Sequence, residues 1–461
     1  MTVKAVLAGA SEAVHAALAA GPAFRGFDIV GVAIVGAGRA DAPVLARAPA
    51  WEALPLETLD VQAVILADAP ASVSARRAVL KRAADARAQV FLLEATGVRA
   101  MALDDLVGAP LGDVDWARIR ARIAGKRVLI TGGGGSIGSA LARQVAALAP
   151  ARLTLLDSSE YNLFKISLEL RDAALALADI RDRQAVMRWF AREQPDIVFH
   201  TAALKQVPLV EQFPSEGVLT NVAGLRHVAE AARAAGADLI FVSTDKAVDP
   251  SGVMGATKRL GELYCQALDR GAGPRAVPVR LGNVLSSTGS VAPIFAAQFA
   301  KGGPLTVTDE SVTRYFLSIP QAAEVLLQAA AIGLNADSPR GATLVIDMGE
   351  ALPVVELARD VIRLNGLRPD QDMQITIVGM RPGEKLHEQL ISVSETGAPC
   401  GDARGVQAAL SAPRGLADIS ETMDRLVALA RAGLGPGIVQ QLFAALELPA
   451  PEASLSAAAS A

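Results

Sequence analysis

Two cysteines among 461 residues, Cys265 and Cys400, are too few for a disulfide framework. The four histidines, His15, His200, His227 and His387, are scattered without zinc-ligand spacing, so no metal site is expected. Aromatics make up only 4% of the chain. An excess of positive charge is also missing: the formal net charge is -4 and the pI about 5.7. That balance argues for neither a nucleic acid nor an anionic membrane surface as partner. Near the N-terminus the apolar run Val3–Ala10 is cut short by Glu12 and His15, well below the ~20 residues of a spanning helix. Neither a signal peptide nor an integral membrane segment is expected. Together these absences leave a soluble, cytoplasmic, metal-free enzyme as the default expectation.

What is present is apolar: 51% of residues are hydrophobic, mostly Ala, Val and Leu. This length predicts two to four domains with ample core. Apolar runs at 3–9, 28–35, 61–67 and 89–93 read as strands, alternating with helices at 11–20 and 75–87. Residues 1–100 are therefore expected to form a small doubly wound parallel sheet of the Rossmann-like kind. Its first turn, Gly9 to Val14, lacks the second and third glycines of a dinucleotide fingerprint. Such a turn keeps the bend but blocks close approach of a pyrophosphate, so no cofactor is expected there. A connector spans 101–125, with a polar helix over 113–123.

A second α/β domain is expected over 126–395. Arg127–Thr131 reads as a strand, followed by a glycine loop and a helix start. Gly132, Gly135 and Gly138 hold the T-G-x-x-G-x-x-G spacing, with Ser136 and Ile137 inside it. Glycine allows the tight turn, the approach of backbone to phosphate, and the packing of helix on strand. The helix N-terminus adds N–H donors and the positive end of a dipole. Asp157 ends the next strand, about twenty residues on, where a carboxylate binds ribose hydroxyls. Ser158 and Ser159 follow it instead of an Arg, which favours NAD over NADP. Asp179 and Ile180 are placed to cap the adenine. Ala202 and Ala203, small residues after the strand ending in His200, would let the backbone pass over the cofactor. Asn221 reads as the cap of a long helix through Ala234. Residues 381–388 read as a basic loop opening another helix. The segments after about 290 are expected to form a smaller substrate lobe, followed by a helical region (396–448) and a disordered tail (449–461).

The stretch Val242 to Lys258 carries the chemistry. The apolar strand before it ends in Thr244-Asp245-Lys246, an acid and an amine side by side at a strand's C-terminal edge. Ligands sit at such edges in nucleotide-binding α/β folds. Met254 and Lys258 then stand at the spacing of the Tyr–x–x–x–Lys pair of short-chain dehydrogenases, with methionine where the tyrosine belongs.

Taken together, Arg127–Gly138, Leu155–Leu163, His200–Pro208, Thr220–Val222, Ser243–Val248, Val253–Arg259 and Gly379–Leu386 resemble the CapD-like polysaccharide-biosynthesis proteins. The match runs in order from about residue 100 to 395. These are extended short-chain dehydrogenase/reductases acting as nucleotide-sugar 4,6-dehydratases, typically on UDP-N-acetylglucosamine. The resemblance implies a lyase with an internal redox cycle. NAD takes hydride from sugar C4, the resulting ketone acidifies C5, water is eliminated across C5 and C6, and hydride returns to C6. Elimination needs one acid and one base close together. Asp245 is expected as the acid, Lys246 as the base, Thr244 as part of a proton relay near C4, and Lys258 at the nicotinamide ribose. Substrate contacts are expected from Lys205, Asn221, Arg280, Asn283, Ser290, Arg314 and Arg381, with Arg314 and Arg381 on the UDP diphosphate. A UDP-N-acetylhexosamine substrate, a homo-oligomer and a role in surface polysaccharide synthesis are implied as well. Two departures stand out: Thr288 where the family often has Arg, and Ser158 where it often has His. Two other readings stay open. A 4-epimerase would need the tyrosinate that Met254 cannot supply, and a non-catalytic NAD-binding scaffold would have no use for Asp245 and Lys246.

Overall fold

A computed structural model describes residues 2–19, 24–39, 42–70, 72–107, 114–400, 405–452, 454 and 456. The chain divides into two compact units, each assembled from three segments. The first is Met1–Val107, Ser290–Val312 and Leu352–Gly379; the second is Gly108–Gly289, Thr313–Ala351 and Met380–Ala461.

The first unit holds a six-stranded sheet: β1 (Val3–Gly9), β2 (Phe27–Val35), β3 (Val44–Ala48), β4 (Ala63–Leu66), β5 (Gln89–Glu94) and β6 (Gly97–Ala100), in the order β3-β2-β1-β4-β5-β6. All neighbours are parallel except β5 and β6. Ala5, Leu7, Val32, Ile34, Ala63 and Ile65 share one apolar cluster, while Val6, Ala8, Val64 and Leu66 are equally buried. Continuous burial of this kind is why parallel strands read as unbroken apolar runs. At the start of the first helix, Ser11–Ala19, the Asp68 carboxylate accepts a hydrogen bond from Ala10 N at 3.0 Å. A Cβ on Gly9 would lie 2.3 Å from that carboxylate. The protein's own anion therefore occupies the front of this turn.

The two later segments of this unit are ones the sequence assigns to a substrate lobe within 126–395. Here they pack with the N-terminal sheet. The helix Val354–Leu364 is joined to the helix Val73–Asp85 by Arg77 Nε on Asp360 Oδ2 at 2.7 Å, and Asp360 is fully buried. The strands Leu305–Val307 and Ile375–Ile377 pair in parallel.

The second unit is built on a nine-stranded sheet. β7 (Arg127–Thr131), β8 (Arg152–Asp157), β9 (Ala174–Leu177), β10 (Ile197–His200), β11 (Asp238–Thr244) and β12 (Ala276–Leu281) lie in the order β9-β8-β7-β10-β11-β12, continued by the strand Ala342–Ile346. These seven run parallel. Alternate residues feed opposite faces: Ile130, Phe199, Ile240 and Val279 join one apolar cluster, Leu129, Val198, Leu239 and Phe241 the other. Both sheets fit the expected doubly wound α/β class. The order reverses between β7 and β10, so the crevice for a ligand opens beyond their C-terminal ends.

Four local expectations change. Residues 396–448 are not wholly helical: Thr396–Pro399 and Val406–Leu410 extend the sheet antiparallel before the helices Leu416–Arg431 and Gly435–Ala445. No helix follows Arg381, because residues 380–388 are held in turns and bends by bonds to distant segments of the chain, such as Thr313 N to Leu386 O at 3.0 Å. Asn221 is not a cap but sits within the π-helical turn Val218–Gly224, continuous with the helix Leu225–Ala235. The connector helix is Trp116–Ile123, capped by Asp115. Residues 108–113 of the connector, and 453, 455 and 457–461 of the expected tail, lie outside the described residues. Among the described residues, no helix is long and apolar enough to cross a membrane, and no cluster of three His, Cys, Asp or Glu is disposed to hold a metal.

Candidate active site

The glycine loop leaves β7 and enters the helix Ser136–Ala146. Gly132 has φ +67°, and a Cβ there would lie 2.8 Å from Ala202 N. A Cβ on Gly138 would lie 2.1 Å from the Gly132 carbonyl oxygen. Both positions need glycine, the first for its left-handed backbone and the second for close approach of helix to strand. Gly135 caps the helix, its N–H bonded to Gly132 O at 3.0 Å. Asp157, at the end of β8, accepts from Gly134 N at 3.0 Å and from Ser159 N at 2.9 Å. The carboxylate thereby fixes the loop from the side where a ribose would lie. Ile137 and Ala202 are half-buried beside this loop, and Ala203 is likewise half-buried. Ile180 is buried and Asp179 is exposed, bonded to Arg181 N at 2.8 Å. The 285–289 loop reaches the same helix: Ser136 Oγ accepts from Thr288 N at 3.1 Å. Lys205 donates to Ser287 Oγ at 2.9 Å, which ties a second strand end to that loop.

The acid–amine pair sits two strands along. β11 ends at Thr244, and a single turn of 3-10 helix, Asp245–Ala247, follows. Thr244 Oγ1 donates to Asp245 Oδ1 at 2.9 Å, and Lys246 Nζ donates to the same oxygen at 2.9 Å. Lys246 Nζ also donates to Asn283 Oδ1 at 2.7 Å. Asp245 is fully buried, and its Oδ2 has no hydrogen-bond partner. The next helix, Val253–Arg270, presses against this turn: a Cβ on Gly255 would lie 2.1 Å from Lys246 O. Glycine between Met254 and Lys258 is thus what lets the helix approach the pair. Met254 is buried but borders a small pocket that Lys246 also lines.

Lys258 turns inward. Its Nζ donates to Val242 O at 2.9 Å and lies 4.7 Å from the centre of the Phe241 ring. Burial pulls its pKa down to about 8. His200 is also internal, with Nδ1 2.7 Å from Thr131 Oγ1, and burial together with Lys258 pulls its pKa down to about 3, so it is neutral.

Several expected substrate contacts are committed elsewhere. Arg280 is fully buried and spends its donors on Glu262 and Glu395, with four contacts of 2.7–2.9 Å. It is a core residue, and the expectation of a sugar or nucleotide contact is corrected accordingly. Arg314 donates to the carbonyls of Thr313, Leu386 and Lys385 and so braces the 380–388 segment. Asn221 is buried, bonded to Leu204 N and O at 2.9 Å and to Thr257 Oγ1 at 3.1 Å, which shapes the loop after β10. Arg381 is exposed, and Ser290 belongs to the other unit. Of the expected substrate residues, the structure brings Asn283 to the pair directly.

Three residues beside the pair were not singled out from the sequence. Glu388 Oε1 lies 3.7 Å from Lys246 Nζ. Lys385 donates to Val248 O at 2.6 Å. Glu211 accepts from Val253 N at 2.6 Å, at the start of the Met254 helix. Burial raises the pKa values of Glu211 and Glu388 and lowers that of Lys385. The only sequence signal for Glu388 and Lys385 was their place in the basic loop 381–388, of which Lys385 also falls in the Gly379–Leu386 stretch.

Comparison with known proteins adds a family. A model described as "Polysaccharide biosynthesis protein" matches residues 128–401. The probable polysaccharide biosynthesis protein EpsC of Bacillus subtilis is 40% identical over 309 residues, 65% of this chain and 51% of that protein. The capsular polysaccharide biosynthesis protein CapD of Staphylococcus aureus is 39% identical over 312 residues, 66% of this chain and 51% of that protein. The chain therefore spans about half the length of these curated relatives. Among solved structures, Pen from Bacillus thuringiensis is 30% identical with a TM-score of 0.56, covering 63% of this chain and 87% of its own.

Proposed function

The chain belongs to the polysaccharide biosynthesis protein family, and from that premise we propose that it is an NAD-dependent nucleotide-sugar 4,6-dehydratase acting on a UDP-N-acetylhexosamine. The observation that carries this reading is the Thr244–Asp245–Lys246 turn, a hydroxyl, an acid and an amine hydrogen-bonded in sequence at a strand end. The dinucleotide fits the glycine cradle, where added Cβ atoms would collide with backbone at Gly132 and Gly138. Asp157 suits NAD, since its carboxylate would repel a 2′-phosphate. Bound there, NAD would supply the acceptor and donor of the hydride that passes from C4 to C6 of the sugar.

The side chains supply the proton chemistry. Thr244 Oγ1 already donates to Asp245 Oδ1, so a proton from the C4 hydroxyl can reach the carboxylate through it. Asp245, now an acid, protonates the departing C6 hydroxyl. Lys246, as an amine, takes the C5 proton and later returns it. One proton from C4–OH and one hydroxyl from C6 leave as water, and the hydride stays in the sugar. Acid and amine share a hydrogen bond and exchange protons as one unit. Met254 contributes no proton, which weighs against a 4-epimerase. The reading extends to a cytoplasmic homo-oligomer serving surface polysaccharide synthesis.

Purified protein incubated with NAD and UDP-N-acetylglucosamine should yield a product lighter by one water in mass spectrometry. Asp245→Asn and Lys246→Ala should each abolish that loss while NAD binding, measured by calorimetry, is kept. A C4 epimer of unchanged mass would replace this reading with the epimerase. Tight NAD binding with no turnover would replace it with the scaffold.

A further inference from the structure

One edge of the nine-stranded sheet is left open. β9 is its last strand, with no strand beyond it among the described residues. At the opposite edge, Thr396–Pro399 carries a proline, which has no N–H and so blunts pairing with a further strand. β9 has no such guard: it reads Ala174-Leu175-Ala176-Leu177. Ala178 N donates to Asp157 O at 3.0 Å, so residues 174 and 176 turn their backbone groups to β8 as well. Those of Leu175 and Leu177 therefore point outward. Ala176 joins the apolar cluster of Leu129 and Val198, which puts the side chains of Leu175 and Leu177 on the other face. On that face the helix Glu160–Ser167 buries Leu163 and Ile166 in the cluster that holds Leu153 and Leu155 of β8.

The outer flank of this helix is apolar too. Glu169, just past its end, pairs with Arg143 of the helix Ser136–Ala146 at 2.6 Å. Tyr161, Phe164 and Leu168 recur at i, i+3 and i+7 and lie roughly 100° around the helix from that pair, away from the glycine-loop helix. With Leu175 and Leu177 they make five large apolar side chains, each between 39% and 71% exposed. Their uncovered surface is on the order of 500 Å², near the top of the range for the largest patch on a monomer.

We infer that this face joins two copies of the chain, β9 against β9 in antiparallel register about a two-fold axis. Centring the pair on Ala176 sets Leu175 of each copy opposite Leu177 of the other, and each such pair exchanges two N–H···O bonds. The axis stands perpendicular to the sheet, so the two apolar helix flanks meet on one face, antiparallel. The exposed Glu160 end of each helix then approaches the exposed Arg171 end of the other. The rim holds Glu160, Lys165, Arg171 and Asp172, acids and bases in equal number. Such a rim is self-complementary under a two-fold axis and offers no cationic collar to an anionic membrane. The apolar patch supplies over half of the ~800 Å² per partner that a stable interface buries, and the strand backbone and rim supply the rest. The homo-oligomer belongs to the reading above; the inference rests on that part of it and assigns the contact face.

The test uses the whole chain. Sedimentation velocity at micromolar concentration should give the wild type as a dimer or an even multiple of the chain. Phe164→Glu combined with Leu177→Lys should halve that mass, weakening association by roughly hundredfold or more. Circular dichroism and melting temperature should hold, since both side chains are exposed. An unchanged mass in the variant overturns the inference and leaves the homo-oligomer reading standing; a monomeric wild type ends both. A second measurement keeps the native sequence. In the wild type, the Leu175 and Leu177 amides should exchange hydrogen at least roughly tenfold more slowly than unpaired amides. Exchange at the unpaired rate overturns the inference. Vesicles of phosphatidylglycerol and phosphatidylcholine probe the rival occupant. The wild type should stay in the supernatant; pelleting that the double variant loses would give this face to a membrane and overturn the inference.

Discussion

Arg280 illustrates how one buried side chain sets the behaviour of its surroundings. Burial alone would favour loss of its charge, but Glu262 and Glu395 outweigh burial and raise its pKa. Glu395 shows the converse: burial would raise its pKa, yet Arg280 and Arg259 hold it at about 2. Removing the cation alone leaves carboxylates uncompensated, at a cost of about 3–5 kcal/mol. Arg280→Met should therefore lower the unfolding free energy in urea by about that amount, while KM for the sugar nucleotide stays unchanged in the folded fraction. The same network sets an acid limit. A carboxylate depressed in the fold stabilises above its unfolded pKa and loses that contribution as pH falls through its folded value. Stability should thus decline from about pH 4.5 toward about 2 as Glu395 is protonated, and an acid titration of Glu395→Gln should show a smaller decline. None of this was legible in the sequence, since Arg280 meets partners 18 and 115 residues away. An Arg at a strand end before a polar loop looks like a ligand residue until its neighbours are known.

Among elements, the glycine loop and its helix are the part most fully written into local sequence. Spacing alone located Gly132, Gly135, Gly138 and Asp157, because strand, turn and helix start are consecutive. Gly138→Ala would put a methyl group 2.1 Å from the Gly132 carbonyl and push the helix off the strand. NAD affinity should fall by roughly tenfold or more with the circular dichroism spectrum retained, as a titration calorimeter can measure. The strand-end turn was legible for a similar reason, as an apolar run that stops at Thr244-Asp245-Lys246. Elements held by distant partners were not. Asn221 looks like a helix cap in sequence, whereas its bonds go to Leu204 and Thr257, 17 and 36 residues away. Residues 381–388 looked like a basic loop opening a helix, but Arg314 braces that segment through the carbonyls of Lys385 and Leu386. Thr396–Pro399 carries Gly397 and Pro399, a composition that hides a strand, and Val406–Leu410 became its partner only through antiparallel pairing.

At the scale of the molecule, both parallel sheets were visible as alternating strands and helices, but the allocation of later segments to units was not. The first unit takes Ser290–Val312 and Leu352–Gly379 from far along the chain. Asp360, fully buried, meets Arg77 and Arg363 there. A chain beginning after residue 107 would leave Asp360 without Arg77 and expose the apolar face of the helix Val354–Leu364. Such a truncation should be recovered largely as aggregate, with any soluble fraction melting well below the whole chain. The same arrangement constrains the timing of synthesis. The N-terminal segment of this unit, ending at Val107, leaves the ribosome about 270 residues ahead of the unit's last residue, Gly379, roughly half a minute at ~10 residues per second. Through that interval the N-terminal sheet waits for its closing segments while the other unit is being made. Nascent chains arrested before residue 290 should be cut by protease within residues 3–100, and chains released in full should resist it; equal resistance in both would show that the early sheet closes unaided. The N-terminal sheet is therefore made long before Ser290–Val312 and Leu352–Gly379 arrive to complete its unit.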